Sequence, residues 1–225
     1  MSQFIVIEGL DGSGKSTQIQ KLQDFFEQKG IPSKFIHFPM LNQGIYGDLI
    51  AAFLRGDFGT IENVHPQLVA LLFANDRKEH IHLIENWLRE GYYVLADRYV
   101  YSNVAFQCAK LKHEAEAKAL HHWILNYEYQ ILNLPKPDIS VFLDVPFEII
   151  ESNLKMHRTG ENRDYLKGKK DIHENALDFQ LEVYKQYKNL SQTQEDLIAL
   201  DCSDPNKGLL SIEAVHQKIL SFFKL

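Results

Sequence analysis

The chain contains 225 residues, a length typical of one large domain, and 45% of them are hydrophobic while 24% are charged. This composition excludes a disordered segment, a collagen-like repeat and a disulfide-stapled miniprotein, and no apolar run is long enough to span a membrane. Lysine and arginine total 24 against 30 acidic residues, a formal charge of −6, which argues against a nucleic acid polymer as partner. With two cysteines and no signal-peptide pattern, we expect a cytoplasmic location.

Short apolar runs alternate with longer helical patterns along the chain. The apolar runs predict strands at Phe4–Ile7, Lys34–Phe38, Tyr93–Ala96, Ile139–Leu143 and Leu197–Leu200. Apolar residues at helical spacing predict five helices, with stripes at Ile19–Phe26, Pro66–Leu88, Leu120–Ile131, Ile172–Tyr187 and Ile212–Phe223. This alternation predicts an α/β fold in one domain, residues 1–225, with a parallel sheet of about five strands and helices on both faces. In such sheets, ligands bind at the carboxyl ends of the strands.

The first predicted strand leads directly into a glycine-rich loop. Residues 9–17 read GLDGSGKST, which is the phosphate-loop pattern G-x-x-x-x-G-K-[ST] of P-loop NTPase-type proteins. Backbone N–H groups and the following helix N-terminus bind phosphate in such a loop, while the lysine reaches the β- and γ-phosphates. The predicted ATP-binding residues are Gly9, Leu10, Gly12, Ser13, Gly14, Lys15, Ser16 and Thr17. We expect Mg²⁺ to lie between Ser16 and Asp97, which ends the apolar strand Tyr93–Ala96.

The loop by itself does not say what is done with the nucleotide. The chain lacks the guanine-reading N-K-x-D element that a switch GTPase should offer, and it is short for a motor or AAA-type ATPase. Cations occur in several later loops, a distribution that favours a nucleotide kinase, because such an enzyme must also bind a second anionic substrate.

Several segments resemble the thymidylate kinase family. They read EGLDGSGKSTQ at 8–18, FP at 38–39, LLFANDR at 71–77, DRYVYSNVAFQ at 97–107 and LPKPD at 134–138, in family order, and KDIHE at 170–174 resembles one bacterial branch. The D-R-Y-x-x-S-x-x-A-[YF]-Q element is far more specific than the phosphate loop. The resemblance implies transfer of the γ-phosphoryl group of ATP, with Mg²⁺, to dTMP, giving dTDP for dTTP synthesis. It also implies a homodimer, whereas it is the acidic charge and the lack of a long apolar run that argue against nucleic acid polymer and membrane as partners.

The same resemblance assigns roles to individual residues. Phe73 stacks on thymine, and Arg77, one helical turn later on the same face, helps to fix the base. Arg98 binds the acceptor phosphate, and Asp11 lies near the sugar 3′-hydroxyl and the metal. Phe106 crowds the ribose 2′ position, which favours deoxyribose. The predicted dTMP-binding residues are Asp11, Phe38, Pro39, Leu54, Phe73, Arg77, Arg98, Ser102, Phe106 and Gln107, and the predicted catalytic residues are Lys15, Arg98, Arg158, Arg163 and Asp11.

A basic stretch at residues 155–170 predicts a mobile lid over the triphosphate. It carries six lysines and arginines against two acids and is interrupted by two glycines. The family places a catalytic arginine either in the phosphate loop or in the lid, and Gly12 occupies the loop position here. We therefore expect the lid-arginine, bacterial-like type, with Arg158 and Arg163 as equal candidates.

Two features depart from the family pattern. Met40 and Leu41 stand where many members carry an arginine, so the acceptor phosphate depends on Arg98 or on Arg55. Residues 170–173 read KDIH where the typical bacterial lid reads D-R-x-E. Two alternative hypotheses stay open: a kinase for another substrate, such as dUMP or a deoxynucleoside, and a non-catalytic regulator that binds nucleotide.

Overall fold

Five parallel strands form one sheet in the computed structural model, which describes residues 2–61, 63–156 and 177–223. The strands are β1 (Phe4–Glu8), β2 (Ser33–His37), β3 (Tyr93–Asp97), β4 (Ile139–Asp144) and β5 (Leu197–Asp201). Their order across the sheet is β2-β3-β1-β4-β5, and every pairing is parallel. All five strand predictions are confirmed, each to within a residue at either end.

Eight helices lie in the described residues. They are α1 (Lys15–Gln28), α2 (Gly44–Leu54), α3 (Pro66–Arg89), α4 (Val100–Cys108), α5 (Glu114–Leu125), α6 (Phe147–Met156), α7 (Leu177–Thr193) and α8 (Ile212–Leu220). A π-helical turn, Asn126–Ile131, continues α5. Five of these helices match predicted ones, although the first five residues of the predicted helix Ile172–Tyr187 lie outside the described residues. The apolar periodicity does not predict α2, α4 and α6. None of the described helices combines the length and hydropathy that crossing a membrane requires.

The burial of the strands follows from helices packing on both faces of the sheet. Every residue of β1, β3 and β4 is buried, which explains why their sequences are almost wholly apolar. The edge strand β2 keeps exposed positions. One large core joins the sheet to seven helices. A second, small cluster between α2 and α3 contains Ile50, Phe53, Leu54 and Val69.

The strand order places a crevice between β1 and β3. The connection from β1 to β2 and the connection from β3 to β4 run in opposite directions across the sheet. Because both crossovers are right-handed, they lie on opposite faces of the sheet. The loops after β1 and β3 therefore diverge at the carboxyl end of the sheet, where ligands of such folds bind. Since Ile7 pairs with Asp97, the phosphate loop and the residues after β3 lie side by side.

Candidate active site

The phosphate loop connects β1 to α1 in a conformation that requires glycine. Gly14 precedes α1 with φ +85°, and Gly12 has φ +79°. Asn153 of α6 donates a hydrogen bond to the Gly12 carbonyl at 2.8 Å, and a Cβ at position 12 would lie 3.1 Å from the Asn153 Cβ. An arginine at position 12 would therefore meet both an unfavourable backbone conformation and the packing of α6.

Lys15 is buried at the start of α1 and faces the interior of the loop. Its Nζ donates to the Leu10 carbonyl at 2.9 Å and lies 3.9 Å from Asp11 Oδ1. Burial and the neighbouring Arg98 lower the pKa of Lys15, while nearby carboxylates raise it. The next two residues, Ser16 and Thr17, are exposed at the helix N-terminus, where phosphate oxygens and a metal ion can reach them.

Arg98 connects the phosphate loop to α4. Its Nη2 donates to Asp11 Oδ1 at 2.9 Å, its Nη1 donates to Ser102 Oγ at 3.2 Å, and its guanidinium lies 4.9 Å from the centre of the Phe106 ring. Burial opposes ionisation of Asp11, but Arg98 and Lys15 outweigh it and hold the pKa of this carboxyl below its usual range. Asp11, Arg98, Ser102 and Phe106, predicted from separate parts of the sequence, are thus brought together.

Glu8, the last residue of β1, is a buried carboxylate beneath this group. Its Oε1 accepts hydrogen bonds from the backbone N–H groups of Tyr99 and Ser102, at 2.9 and 3.2 Å. Its Oε2 accepts from the Ser102 hydroxyl at 2.5 Å and from the Tyr187 hydroxyl at 2.8 Å. These four donors compensate the burial of the charge and fix the beginning of α4 against β1.

Asp97 has the position and chemistry that a magnesium ligand needs. Its Oδ1 is buried and has no hydrogen-bond partner among the described residues, while its Oδ2 lies 3.4 Å from His37 Nδ1. Burial would raise the pKa of Asp97, yet Lys15, His37 and Arg98 together lower it, so the carboxylate is ionised at neutral pH. The described residues contain no cage of three or more metal-ligating side chains. One or two protein oxygens plus phosphates are a usual set for Mg²⁺.

Arg77 is buried in an ion pair between α3 and the π-helical turn. Its Nε and Nη2 each donate to Glu128 at 2.6 Å, and Asn103 Nδ2 donates to the same carboxylate at 2.8 Å. Burial opposes ionisation, but Glu128 raises the pKa of Arg77. Phe73, one turn earlier on α3, is partly buried against the small cluster. The structure does not test their contact with a base, which stays a prediction.

The other residues predicted to bind the acceptor have varied surroundings in the structure. Phe38 is buried in the main core against Tyr99, so its ring has a packing role. Asp76 of α3 accepts a hydrogen bond from the Met40 N–H at 3.0 Å and thereby holds the chain just after Pro39.

Leu54 belongs to the small cluster, and Gln107 on α4 is buried with an Oε1 that has no hydrogen-bond partner within the described residues. Arg55, the alternative phosphate ligand, pairs with Asp57 at 2.9 Å.

Other predicted site residues lie outside the described residues. These are Arg158, Arg163 and most of the predicted lid at 155–170. Their roles stay predictions.

The family of this chain follows from its similarity to known proteins. A family model described as thymidylate kinase matches residues 7–219. The chain belongs to the thymidylate kinase family. The thymidylate kinase of Mycobacterium tuberculosis is 38% identical over 146 residues, which cover 65% of this chain and 67% of that protein. A probable thymidylate kinase of Pyrococcus horikoshii is 30% identical over 98% of this chain and 95% of its own length.

A solved structure agrees with the family assignment. The thymidylate kinase from Candida albicans superposes with a TM-score of 0.73 and 28% sequence identity, covering 98% of this chain and 90% of that one. The fold is therefore that of a P-loop NTPase, and membership of the thymidylate kinase family makes the chain a nucleoside monophosphate kinase.

Several residues of this candidate site carry no signal of their own in the sequence. Glu8 lies within a segment that resembles the family, so its position was visible but its partners were not. Glu128, Asn153 and Tyr187 reach the site from helices far along the chain. No local pattern identifies such residues, because only tertiary packing brings them in.

Proposed function

We propose that this chain transfers the γ-phosphoryl group of ATP to dTMP, giving dTDP, with the residues described above in defined roles. The observation that supports this most directly is the shared carboxylate of Asp11. Its Oδ1 lies 2.9 Å from Arg98 Nη2 and 3.9 Å from Lys15 Nζ. One carboxylate thus separates the lysine of the phosphate loop from the arginine of the acceptor side.

Catalysis in this arrangement consists of positioning and charge neutralisation, since phosphoryl transfer needs little covalent chemistry from side chains. Lys15 binds the β- and γ-phosphates, and Arg98 binds the acceptor phosphate as a bidentate donor. When ATP and dTMP bind, their phosphates compete with Asp11 and with the Leu10 carbonyl for these two cations. Asp11 is then free to accept a hydrogen bond from the sugar 3′-hydroxyl.

Ser16 and Asp97 would hold Mg²⁺ beside the loop. The buried, unpartnered Oδ1 of Asp97 and the exposed hydroxyl of Ser16 fit the oxygen chemistry that this ion prefers. The ion supplies neutralisation of charge on the β- and γ-phosphate oxygens.

The acceptor base is proposed to bind between α3 and α4. Phe73 supplies an aromatic face, and Asn103 and Gln107 supply amide oxygens that are buried without a partner among the described residues. Because Glu128 already binds Arg77 through two hydrogen bonds, Arg77 contributes a fixed, oriented guanidinium. A lid arginine is proposed to neutralise the charge on the phosphoryl group during its transfer. This agrees with the crowding of Gly12 by Asn153, which disfavours an arginine in the phosphate loop.

We further propose a cytoplasmic homodimer. Ile45 is 73% exposed on α2, and Leu68 is 59% exposed on α3. These exposed apolar side chains on two helices that pack together support a subunit interface that involves α2 and α3. The free thiols of Cys108 and Cys202 suit a reducing compartment. Sedimentation equilibrium gives the test: a mass of one chain at micromolar concentration contradicts the dimer.

The deciding experiment is a coupled ADP-release assay over a panel of acceptors: dTMP, dUMP, UMP, dCMP and thymidine. We expect dTMP to give the highest kcat/KM, with dUMP second and both ahead of UMP. Lys15→Ala serves as the control, because a folded variant without this cation should lose at least about a hundredfold in kcat. Equal use of UMP contradicts the acceptor assignment, and near-normal turnover of Lys15→Ala contradicts the mechanism.

A further inference from the structure

Tyr187 of α7 reaches the acceptor side of the site from a helix that the sequence does not connect with it. We infer that Tyr187 is a positioning residue for acceptor binding, whose hydroxyl donates to Glu8 beside Ser102 and so keeps the Arg98 guanidinium directed at the acceptor phosphate. The inference rests on the proposed function, in which Arg98 binds that phosphate.

The hydroxyl of Tyr187 is held in place from two sides. It donates to Glu8 Oε2 at 2.8 Å and lies 2.7 Å from Ser102 Oγ. The ring is fully buried and stacks on Phe142 of β4, with the ring centres 4.8 Å apart and an interplanar angle of 6°. Burial and the adjacent carboxylate raise the pKa of Tyr187 well above its usual value, so the hydroxyl remains a donor. Stacking on Phe142 therefore fixes the Tyr187 ring, and the fixed ring holds the hydroxyl donor in place beside Glu8.

The consequence for Arg98 follows from counting donors and acceptors. Ser102 Oγ has one proton, and at 2.5 Å from Glu8 Oε2 that proton is directed at the carboxylate. A lone pair of Ser102 Oγ then accepts from Arg98 Nη1 at 3.2 Å, while the single proton of the neighbouring Tyr187 hydroxyl also goes to Glu8. Ser102 is thus the link between a buried carboxylate and the guanidinium.

Without the Tyr187 hydroxyl, the Glu8 carboxylate loses a donor at Oε2. Arg98 is a nearby cation: burial lowers its pKa, but Asp11, Tyr187, Asp97 and, to a smaller extent, Glu8 outweigh burial and raise it. A buried carboxylate with an unfilled acceptor site attracts such a cation. The guanidinium would then turn from Asp11 and the acceptor towards Glu8. Tyr187 prevents this by supplying the missing proton.

The test compares two tyrosine-to-phenylalanine variants on the same helix. Tyr187→Phe removes the hydroxyl and keeps the stacked ring. Tyr184→Phe is the matched control, since the Tyr184 hydroxyl also donates to a carboxylate, Asp144, at 2.8 Å, but outside the acceptor group. The KM for dTMP and the KM for ATP are measured separately, together with thermal unfolding.

In Tyr187→Phe we expect the KM for dTMP to rise about tenfold, while the KM for ATP stays within about twofold. Tyr184→Phe should change neither constant. Ser102→Ala should reproduce the rise for dTMP, and the double variant should rise no further than the larger single variant, because both act on Arg98 through one chain of hydrogen bonds.

Each contrary result has a definite meaning. If Tyr187→Phe unfolds at a lower temperature with both constants unchanged, the tyrosine only packs and the inference is wrong. Equal rises in both constants also overturn it. Should Tyr187→Phe fail to fold, Ser102→Ala decides, and an unchanged KM for dTMP rejects the positioning chain. An unchanged KM for dTMP in Arg98→Ala contradicts the proposed function itself.

Discussion

Arg98 adopts a backbone conformation that few non-glycine residues tolerate. Its φ is +67°, while its N–H donates to the Ile7 carbonyl at 3.0 Å. A left-handed conformation costs on the order of 1 kcal/mol for a residue with a Cβ. The ion pair with Asp11 and the hydrogen bond to Ser102 offset this cost. Backbone strain here serves to direct a long side chain back over the crevice.

The ring of Phe106 should control discrimination between deoxyribose and ribose. It is buried on α4 with the Arg98 guanidinium 4.9 Å from its centre, so the aromatic lies within the acceptor group. Phe106→Ala creates room for a 2′-hydroxyl, and we expect the ratio of kcat/KM for dUMP over UMP to fall by about tenfold or more. Steady-state kinetics with both acceptors measure the ratio. A ratio that does not change shows that another residue excludes ribose.

Lys110, two residues after the end of α4, should make the stability of the protein depend on pH. Its Nζ is buried without a hydrogen-bond partner among the described residues and lies 4.7 Å from the centre of the Phe53 ring. Burial lowers the pKa of Lys110 from 10.5 to about 7. Between these values the unfolded chain binds the proton and the folded chain does not. The folded state therefore gains stability as the pH rises through this range.

Lys110→Met should thus be more stable than the parent at pH 7 and below, and its advantage should shrink towards pH 10.5. The expected slope is up to about 1.4 kcal/mol per pH unit. Urea unfolding at several pH values measures it, with the exposed Lys112→Met as control. An advantage that does not vary with pH would mean that Lys110 remains charged in the fold.

At the scale of elements, the Arg77–Glu128 pair joins α3 to the π-helical turn. Both side chains are almost completely buried, at 2% and 0% exposure, so neither charge can be hydrated when the other is removed. Glu128→Ala should lower the free energy of unfolding by about 3–5 kcal/mol. Adding Arg77→Met should restore part of the loss, because the unpaired charge then disappears.

Urea unfolding measures this effect, and Glu182→Ala provides the comparison. Glu182 pairs with Lys185 at 2.6 Å on the exposed side of α7, and its loss should cost under about 1 kcal/mol. A loss of similar size in both variants contradicts the argument from burial.

The predicted lid should show its contribution in kcat. Arg158→Ala or Arg163→Ala, whichever removes the arginine that contacts the transferring phosphoryl group, should lower kcat and kcat/KM together with little change in dTMP affinity. The double variant should lose far more than Lys167→Ala or Lys169→Ala. Kinetics at saturating Mg²⁺ give the answer. If the double variant keeps kcat within about threefold, under 1 kcal/mol of barrier, the lid-arginine mechanism is wrong.

The sequence predicts the elements that repeat a pattern and misses those that do not. Four of the five strands are almost wholly apolar runs, with β2 (SKFIH) the exception, and α3 has a first-turn proline and a long apolar stripe. Strands and helices of this kind can be predicted from the sequence. Every residue of α4 is buried, and a helix without a solvent face has no apolar periodicity. The short helix α2 is mostly apolar, with buried and exposed positions mixed, so its sequence shows no apolar stripe. Helix α6 begins only two residues after β4 ends, so no loop pattern separates the two elements in the sequence. The phosphate loop is local in sequence, whereas Glu128 and Tyr187 reach the site only through tertiary packing.

At the scale of the whole molecule, one core should make unfolding cooperative. The main cluster contains residues from every strand and from seven of the eight described helices. We therefore expect a single urea transition in which far-ultraviolet circular dichroism and the fluorescence of Trp87 and Trp123 coincide. Two separated transitions would show that the chain folds as more than one domain.

The strand order also constrains how the chain can fold while it is being synthesised. Among the five described strands, β1 is synthesised first and lies at the centre of the sheet. Phe4 has no neighbour on one side until Val94 has been synthesised. Its other neighbour, with Ile5 beside Ile139, is made later still. Contacts this distant along the chain form slowly. A nascent chain that ends before residue 93 therefore lacks both of the strands that pair with β1.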